Sequence, residues 1–275
     1  MLPVTDDTYG PEWGDVDRDA DEATEYLDTL AALDTFQAYK RRSHQLLHPE
    51  EGDRIVDIGC GAGDDVLTLA EHVGPTGAAI GIDKSESLIE EATSRSGATP
   101  EANFRIDDVM ELSFENGTVD GCRADRVFQH LDDPLGALRE MRRVTRGGGR
   151  LVVSDADWGT FTITAPGTDE AITDLVTDTR QTNAVSPTVG RHLYPLFRVA
   201  GVTDLVVDPI NFLFTDCEAL FEVTYIEDRL EKMVDEGMAS PDEAERWIDS
   251  VRHADRDRTL FGSVVGYTVG GTVPD

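Results

Sequence analysis

Residues 54–65, Arg-Ile-Val-Asp-Ile-Gly-Cys-Gly-Ala-Gly-Asp-Asp, set an apolar run directly before alternating glycines. That pattern describes a buried strand turning sharply into a helix, a place where nucleotide-like ligands meet backbone amides. Gly59, Gly61 and Gly63 carry no Cβ, so a ligand approaches closely and unusual backbone angles cost little. A dinucleotide turn reads G-x-G-x-x-G, but here Asp64 holds the sixth position. Asp64 and Asp65 suit a helix start, and they repel a diphosphate while tolerating a cation. The spacing therefore favours a sulfonium nucleoside, S-adenosylmethionine, over NAD. Asp83 stands twenty-four positions after Gly59. A carboxylate there reaches both ribose hydroxyls, a role shared by the two ligands.

These residues need a parallel sheet to bring them together. The run 79–83 reads as a second buried strand, and Val66, Leu67, Leu69, Ala70 and Val73 give the helical stripe between the two. A third strand, 103–106, ends in Asp107-Asp108-Val109, and a fourth, 119–124, leads into Asp125-Arg126 and His130. With these elements in this order the chain resembles the class I S-adenosylmethionine-dependent methyltransferases, in the small-molecule group that includes the ubiquinone and menaquinone enzymes. The likeness covers about residues 36–155 well and the remainder loosely.

The resemblance implies a Rossmann-like α/β fold: a seven-stranded mixed sheet, last strand antiparallel, with helices on both faces. It puts Asp57, Gly59 and Gly61 under the methionine and ribose parts of the cofactor, with Asp83 on the ribose and Lys84 flanking the adenine. Cys60 and Cys122 pack nearby. Asp108 accepts from the adenine amine with Val109 N–H beside it, although Asp107, where relatives often have glycine, leaves that choice open. Ala124 and Arg126 meet the cofactor through their main chains. His130 is the best-placed proton acceptor; the competing reading is a histidine that bonds backbone or packs on the Asp132-Asp133 turn.

The resemblance divides the chain into an acidic N-terminal segment with a lid helix, 1–47, and a methyltransferase domain, 48–275. A helix over about 21–47 closes on the cofactor, with Tyr39 and Arg41 facing the acceptor or forming an ordinary helix face. Asp132-Asp133-Pro134 starts a helix that Gly147-Gly-Gly149 stops, and 151–154 is the fifth strand. Residues 156–200 read as an acceptor-side insertion with a helix near 169–182. Trp158, Phe161, Arg191, His192 and Tyr194 are its candidate lining residues, with simple core packing as the alternative. Strands near 203–214 and 259–270 flank two helices, the second opened by a capping box at Ser240-Pro-Asp-Glu243.

Composition narrows the partners. With 55 acids against 24 bases, only three of them lysine, the formal charge is −31. The acids run along the whole chain, which favours a surface suited to a salt-rich cytoplasm over an acidic tail for a cationic partner. Phosphate binding needs clustered Lys and Arg, so nucleic acid is disfavoured; Lys40-Arg41-Arg42 and Arg139 to Arg150 read as helix ion pairs. No apolar run approaches the ~18 residues of a membrane span, and the first residues lack a signal pattern, so a cytoplasmic protein is expected. Three widely spaced cysteines indicate neither a disulfide framework nor a metal site. The function implied is methyl transfer to a small organic acceptor, quinone-like or a secondary metabolite, with oligomeric state open. The alternatives are a nicotinamide-dependent oxidoreductase and a non-catalytic binder of the cofactor or its demethylated product.

Overall fold

The computed structural model describes residues 16–18, 20–178 and 184–275. In chain order these hold α1 (Ala20–Ala32), α2 (Asp34–Leu47), β1 (Arg54–Ile58), α3 (Asp64–Val73), β2 (Ala78–Asp83), α4 (Glu86–Ser96), β3 (Ala102–Ile106) and β4 (Val119–Asp125). Then follow α5 (Pro134–Val144), β5 (Thr145–Thr164), α6 (Glu170–Thr177), α7 (Val189–Val199), β6 (Thr203–Phe214), α8 (Cys217–Thr224), α9 (Ile226–Asp235), α10 (Pro241–Arg256) and β7 (Phe261–Thr272).

The seven strands lie in the order β3-β2-β1-β4-β5-β7-β6. β1 to β5 pair in parallel, and β7 runs antiparallel to both neighbours, as the family resemblance implies. The chain leaves β1 towards β2 and β3, then returns to the other side of β1 as β4. That reversal opens a crevice beyond the carboxyl ends of β1 and β4, where open α/β sheets bind ligands.

Each face of the sheet is covered because each crossover helix carries one apolar stripe. α3 and α4 bury Val66, Leu69, Ala70 and Ile89 against Ile55, Ala79 and Val152. On the other face α5 and α7 bury Leu138, Met141, Leu193 and Phe197 against Val56, Ile58, Cys122 and Val153. A further core, centred on Trp247, joins α6 and α8 to α10 to the far ends of β5, β6 and β7. This cap and the two N-terminal helices wall the crevice.

Several boundaries differ from expectation for visible reasons. The N-terminal helix breaks at Leu33, whose extended backbone (φ −78°, ψ 128°) separates α1 from α2. α5 ends at Val144, and Gly147 to Gly149 lie inside β5, which is far longer than 151–154. A Cβ on Gly149 would sit 2.5 Å from the Asp120 carbonyl, so only glycine lets β5 pass there. Residues 156–164, where the expectation opened an insertion, continue that strand. The helix expected near 169–182 spans Glu170–Thr177, and 189–199 form α7, which belongs to the sheet's own cover. Pro195 inside α7 hides its helical pattern. Three helices, not two, separate β6 from β7. The segment 1–15 lies outside the described residues. Among those described, no helix is long and apolar enough to cross a membrane.

Candidate active site

The turn after β1 runs through Gly59 (φ 64°), Gly61 (φ 53°) and Gly63 (φ 92°), left-handed angles that cost most other residues free energy. The Gly61 N–H donates to Asp83 Oδ2 at 3.1 Å, and the Ser85 N–H donates to Asp83 Oδ1 at 3.1 Å. Asp83 thereby locks the end of β2 to the glycine turn. Burial pushes its carboxyl above the usual range, with the Ser85 and Gly61 amides opposing. Ser85 also caps α4, accepting from Leu88 N–H at 3.1 Å. Asp17 reaches across to the same helix start and accepts from the Ser85 hydroxyl at 2.6 Å and the Ser87 amide at 3.1 Å. Those bonds, Ser85 foremost, draw Asp17 down to about 2. They hold Val16, which is buried, against the mouth of the crevice.

At the end of β3, Asp107 is committed to structure: it accepts from Arg105 at 3.1 Å and from the Ser113 amide at 3.1 Å and hydroxyl at 3.0 Å. Asp108 takes only the Met110 N–H on Oδ1 among the described residues, at 2.8 Å. Both acids line the cavity with Val109 and Lys84.

A buried ion cluster underlies the floor, and the sequence reading missed its centre. Asp57 and Arg123 are register partners on β1 and β4. The Arg123 guanidinium, 1% exposed, donates to Asp57 Oδ1 at 2.8 Å, Asp125 Oδ2 at 3.2 Å and Ser43 Oγ at 2.9 Å. It also lies 3.3 Å from Asp65 Oδ2, and Lys40 Nζ reaches that oxygen at 2.5 Å. Burial raises the Asp57 carboxyl above its usual range. At Asp65 burial acts the same way, but Arg123, Lys40 and His44 outweigh it and hold that carboxyl well below. Three carboxylates face two permanent cations here. Opposite charges set among apolar strand residues, Asp57 on β1 and Arg123 on β4, were the available signal.

The cavity, about 220 Å³, extends from the glycine turn past β4 to the cap. Asp57, Gly59, Cys60, Gly61, Asp83, Lys84, Asp107, Asp108 and Val109 line one half; Arg126, Gln129, His130, Trp158, Tyr26, Tyr225 and Arg229 line the other. His130 closes a short turn, Phe128–His130, and is pushed down to about 3 by burial, then by Arg126 and Lys84. Trp158 is fixed by its indole N–H, which donates to Gln129 Oε1 at 2.8 Å.

Other expected residues lie elsewhere. Tyr39 is buried between Phe36 and Phe212, its hydroxyl donating to Asp125 at 3.2 Å, and does not line the cavity. Arg41 is exposed and donates to the Gln37 carbonyl; its neighbour Lys40 faces inward instead, because a one-residue step turns a helix by ~100°. Arg191 is exposed and pairs with Asp157, with one N–H at 2.7 Å. Ala124 is fully buried beneath the floor. Phe161 packs edge-on against Trp158, while His192 and Tyr194 are exposed on α7. Tyr26, Tyr225 and Arg229 come from α1 and the α8–α9 corner, and nothing local in the sequence marks them.

The residues present fit S-adenosylmethionine. A carboxylate fixed at the end of β2 suits a ribose diol, acids flank the helix start where a diphosphate needs donors, and the ion cluster carries more carboxylates than cations. Residues 49–201 match the family model described as a methyltransferase domain. An uncharacterized 37.1 kDa protein from a transposon of Streptomyces fradiae is 38% identical over 89% of this chain and 69% of its own length. A demethylmenaquinone methyltransferase of Staphylococcus aureus is 28% identical over 50% of this chain, which spans 57% of that enzyme. The crystal structure of YcgJ from Bacillus subtilis superposes with a TM-score of 0.60 at 16% identity, covering 87% of this chain and all of that one. The chain thus belongs to the methyltransferase-domain family and is a class I S-adenosylmethionine-dependent methyltransferase.

Proposed function

We propose that the chain methylates a small organic acceptor, quinone-like or a comparable secondary metabolite, in a salt-rich cytoplasm, and that nucleic acid is not its substrate. The observation that carries this reading is the divided cavity. One half joins a glycine turn to the Asp83 carboxylate, and the other is a small aromatic chamber under the cap. In this reading Asp57, Gly59, Cys60 and Gly61 border the methionine and ribose parts, and Asp83 holds the ribose hydroxyls. Lys84 flanks the adenine, Asp108 and the Val109 N–H take its edge, and Asp107 supports the loop from behind. Arg126 borders the cofactor through its main chain.

Bound S-adenosylmethionine supplies a methyl carbon on positive sulfur, so the leaving group needs no acid. The protein's work is placement and exclusion of water. Trp158, Gln129 and Tyr225 shape the acceptor's position, and Val16, Tyr26 and Leu27 close the side towards solvent. His130 stays uncharged at neutral pH and is able to accept a proton, but a group held near 3 is a weak base. It therefore serves an acceptor that gives up its proton readily.

The test is release of S-adenosylhomocysteine in molar KCl with a panel of phenols, quinols and amines, beside tRNA and duplex DNA. Product with at least one small molecule and none with nucleic acid supports the reading. Turnover on nucleic acid alone contradicts it.

A further inference from the structure

In a chain with 55 acids to 24 bases, the acceptor half of the cavity has the opposite character. Arg126 and Arg229 line it, the latter 4% exposed. Asp125, a carboxylate that also lines the cavity, is engaged by Arg123 at 3.2 Å, Tyr39 at 3.2 Å and Lys40 at 3.7 Å. Both guanidinium groups lie over rings: Arg229 is 5.6 Å from the centre of Trp158 and 5.9 Å from Phe161, and Arg126 is 5.5 Å from Phe36 and 5.9 Å from Tyr26. Stacking uses the flat face of a guanidinium and keeps its in-plane N–H groups for hydrogen bonds; one from Arg229 donates to the Val176 carbonyl at 3.2 Å. The Arg126 Nε is buried with no hydrogen-bond partner, a cost that a ligand oxygen removes.

Backbone strain falls on the same walls. Arg126 (φ 57°) and Tyr225 (φ 51°) both line this chamber and are two of the five non-glycine residues in left-handed conformation among the described residues. Such strain persists where the surroundings enforce it, and it gathers at ligand sites. Arg126 owes its position at the rim of β4 to this bend, anchored by its N–H donating to the Ser154 carbonyl at 2.8 Å. The nearby Asp155 carboxyl, pushed up to about 8 by burial, is mostly uncharged at neutral pH and does not cancel the arginines.

We propose that the acceptor is a planar organic anion, its ring set against Trp158 and Tyr225 and its charge held between Arg126 and Arg229. This rests on the cofactor occupying the glycine-turn half. It also accounts for the weak base at His130: an acceptor stabilised in its ionised form by two arginines has no proton left for a strong base to remove. Methyl transfer to the anion forms one bond from oxygen or carbon to the methyl and breaks one sulfur–carbon bond. The electron pair returns to sulfur, and the negative charge is neutralised by the sulfonium's positive one.

The test compares 2-naphthoate with its neutral isostere 2-naphthamide by calorimetric titration in molar KCl, with the protein both free and saturated with S-adenosylhomocysteine. At that salt only direct ion contacts survive screening. The acid is expected to bind the loaded protein about ten-fold more tightly than the amide. Arg126→Gln and Arg229→Gln should each remove most of that preference, and Arg229→Lys, which keeps the charge, should restore much of it. Thermal melts of each variant identify a folding defect, and the wild-type ratio stands without any variant. Equal affinity for acid and amide, no binding of the acid, or a preference intact in both Gln variants overturns the proposal. Failure of S-adenosylhomocysteine to bind counts against the cofactor reading instead, and the ratio on free protein still decides whether the chamber selects anions.

Discussion

Arg123 has no side-chain exposure to speak of, yet it is tied to three aspartates, so its charge is tolerable only as part of the cluster. Removing one partner from such a group strands the rest. Arg123→Met is expected to destabilise the protein by about 3–5 kcal/mol in urea unfolding at constant KCl. A loss under about 1 kcal/mol contradicts the cluster's structural role. His130 gives a second residue-scale expectation. Its folded pKa, about 3, lies below its unfolded value near 6.5, so the unfolded chain takes up a proton that the fold refuses. Its contribution is complete above about pH 6.5 and is lost as pH falls from there towards 3. His130→Gln should therefore flatten part of the stability loss over that window and leave no limb near pH 6.5 in turnover. A turnover limb near pH 6.5 that disappears in the variant contradicts the depressed value. Asp83, the glycines and the Asp107-Asp108 pair were legible because a strand end fixes where their backbone points. Tyr26, Tyr225 and Arg229 were not, because their meeting depends on long-range packing of the cap.

Helix caps were the most readable feature between residue and fold. Asp133 accepts from Gly136 N–H at 2.9 Å at the start of α5, and Ser240 with Glu243 forms the full reciprocal box on α10, as the sequence pattern implied. Ser240→Ala should cost about 1 kcal/mol in thermal unfolding with activity retained, since α10 packs on the cap and not on the cavity. No change in stability contradicts the role of the box. Breaks were harder to read. Leu33 has no breaker chemistry, and the separation of α1 from α2 comes from the different surfaces each helix must bury. β5 runs through three glycines because neighbouring backbone, not local preference, sets its path. In the same way tertiary packing enforces the helix Val189–Val199 around Pro195.

At the scale of the molecule the seven-stranded sheet with its antiparallel last strand followed from the resemblance, while the charge follows its own logic. A formal −31 on 275 residues repels itself unless salt screens it. Raising KCl from a tenth molar to molar should raise Tm by about 10 °C, an effect of several kcal/mol in a chain of this size. A melting point unmoved or lowered by KCl contradicts an adaptation to a salt-rich interior. The central claim is that the turn after β1 and the Asp83 carboxylate hold a sulfonium nucleoside. Calorimetric titration of salt-stabilised protein with S-adenosylmethionine should show one site, and Asp83→Ala should weaken it about a hundred-fold with the melting point nearly kept. No heat with S-adenosylmethionine and a clear signal with NADH would contradict the account.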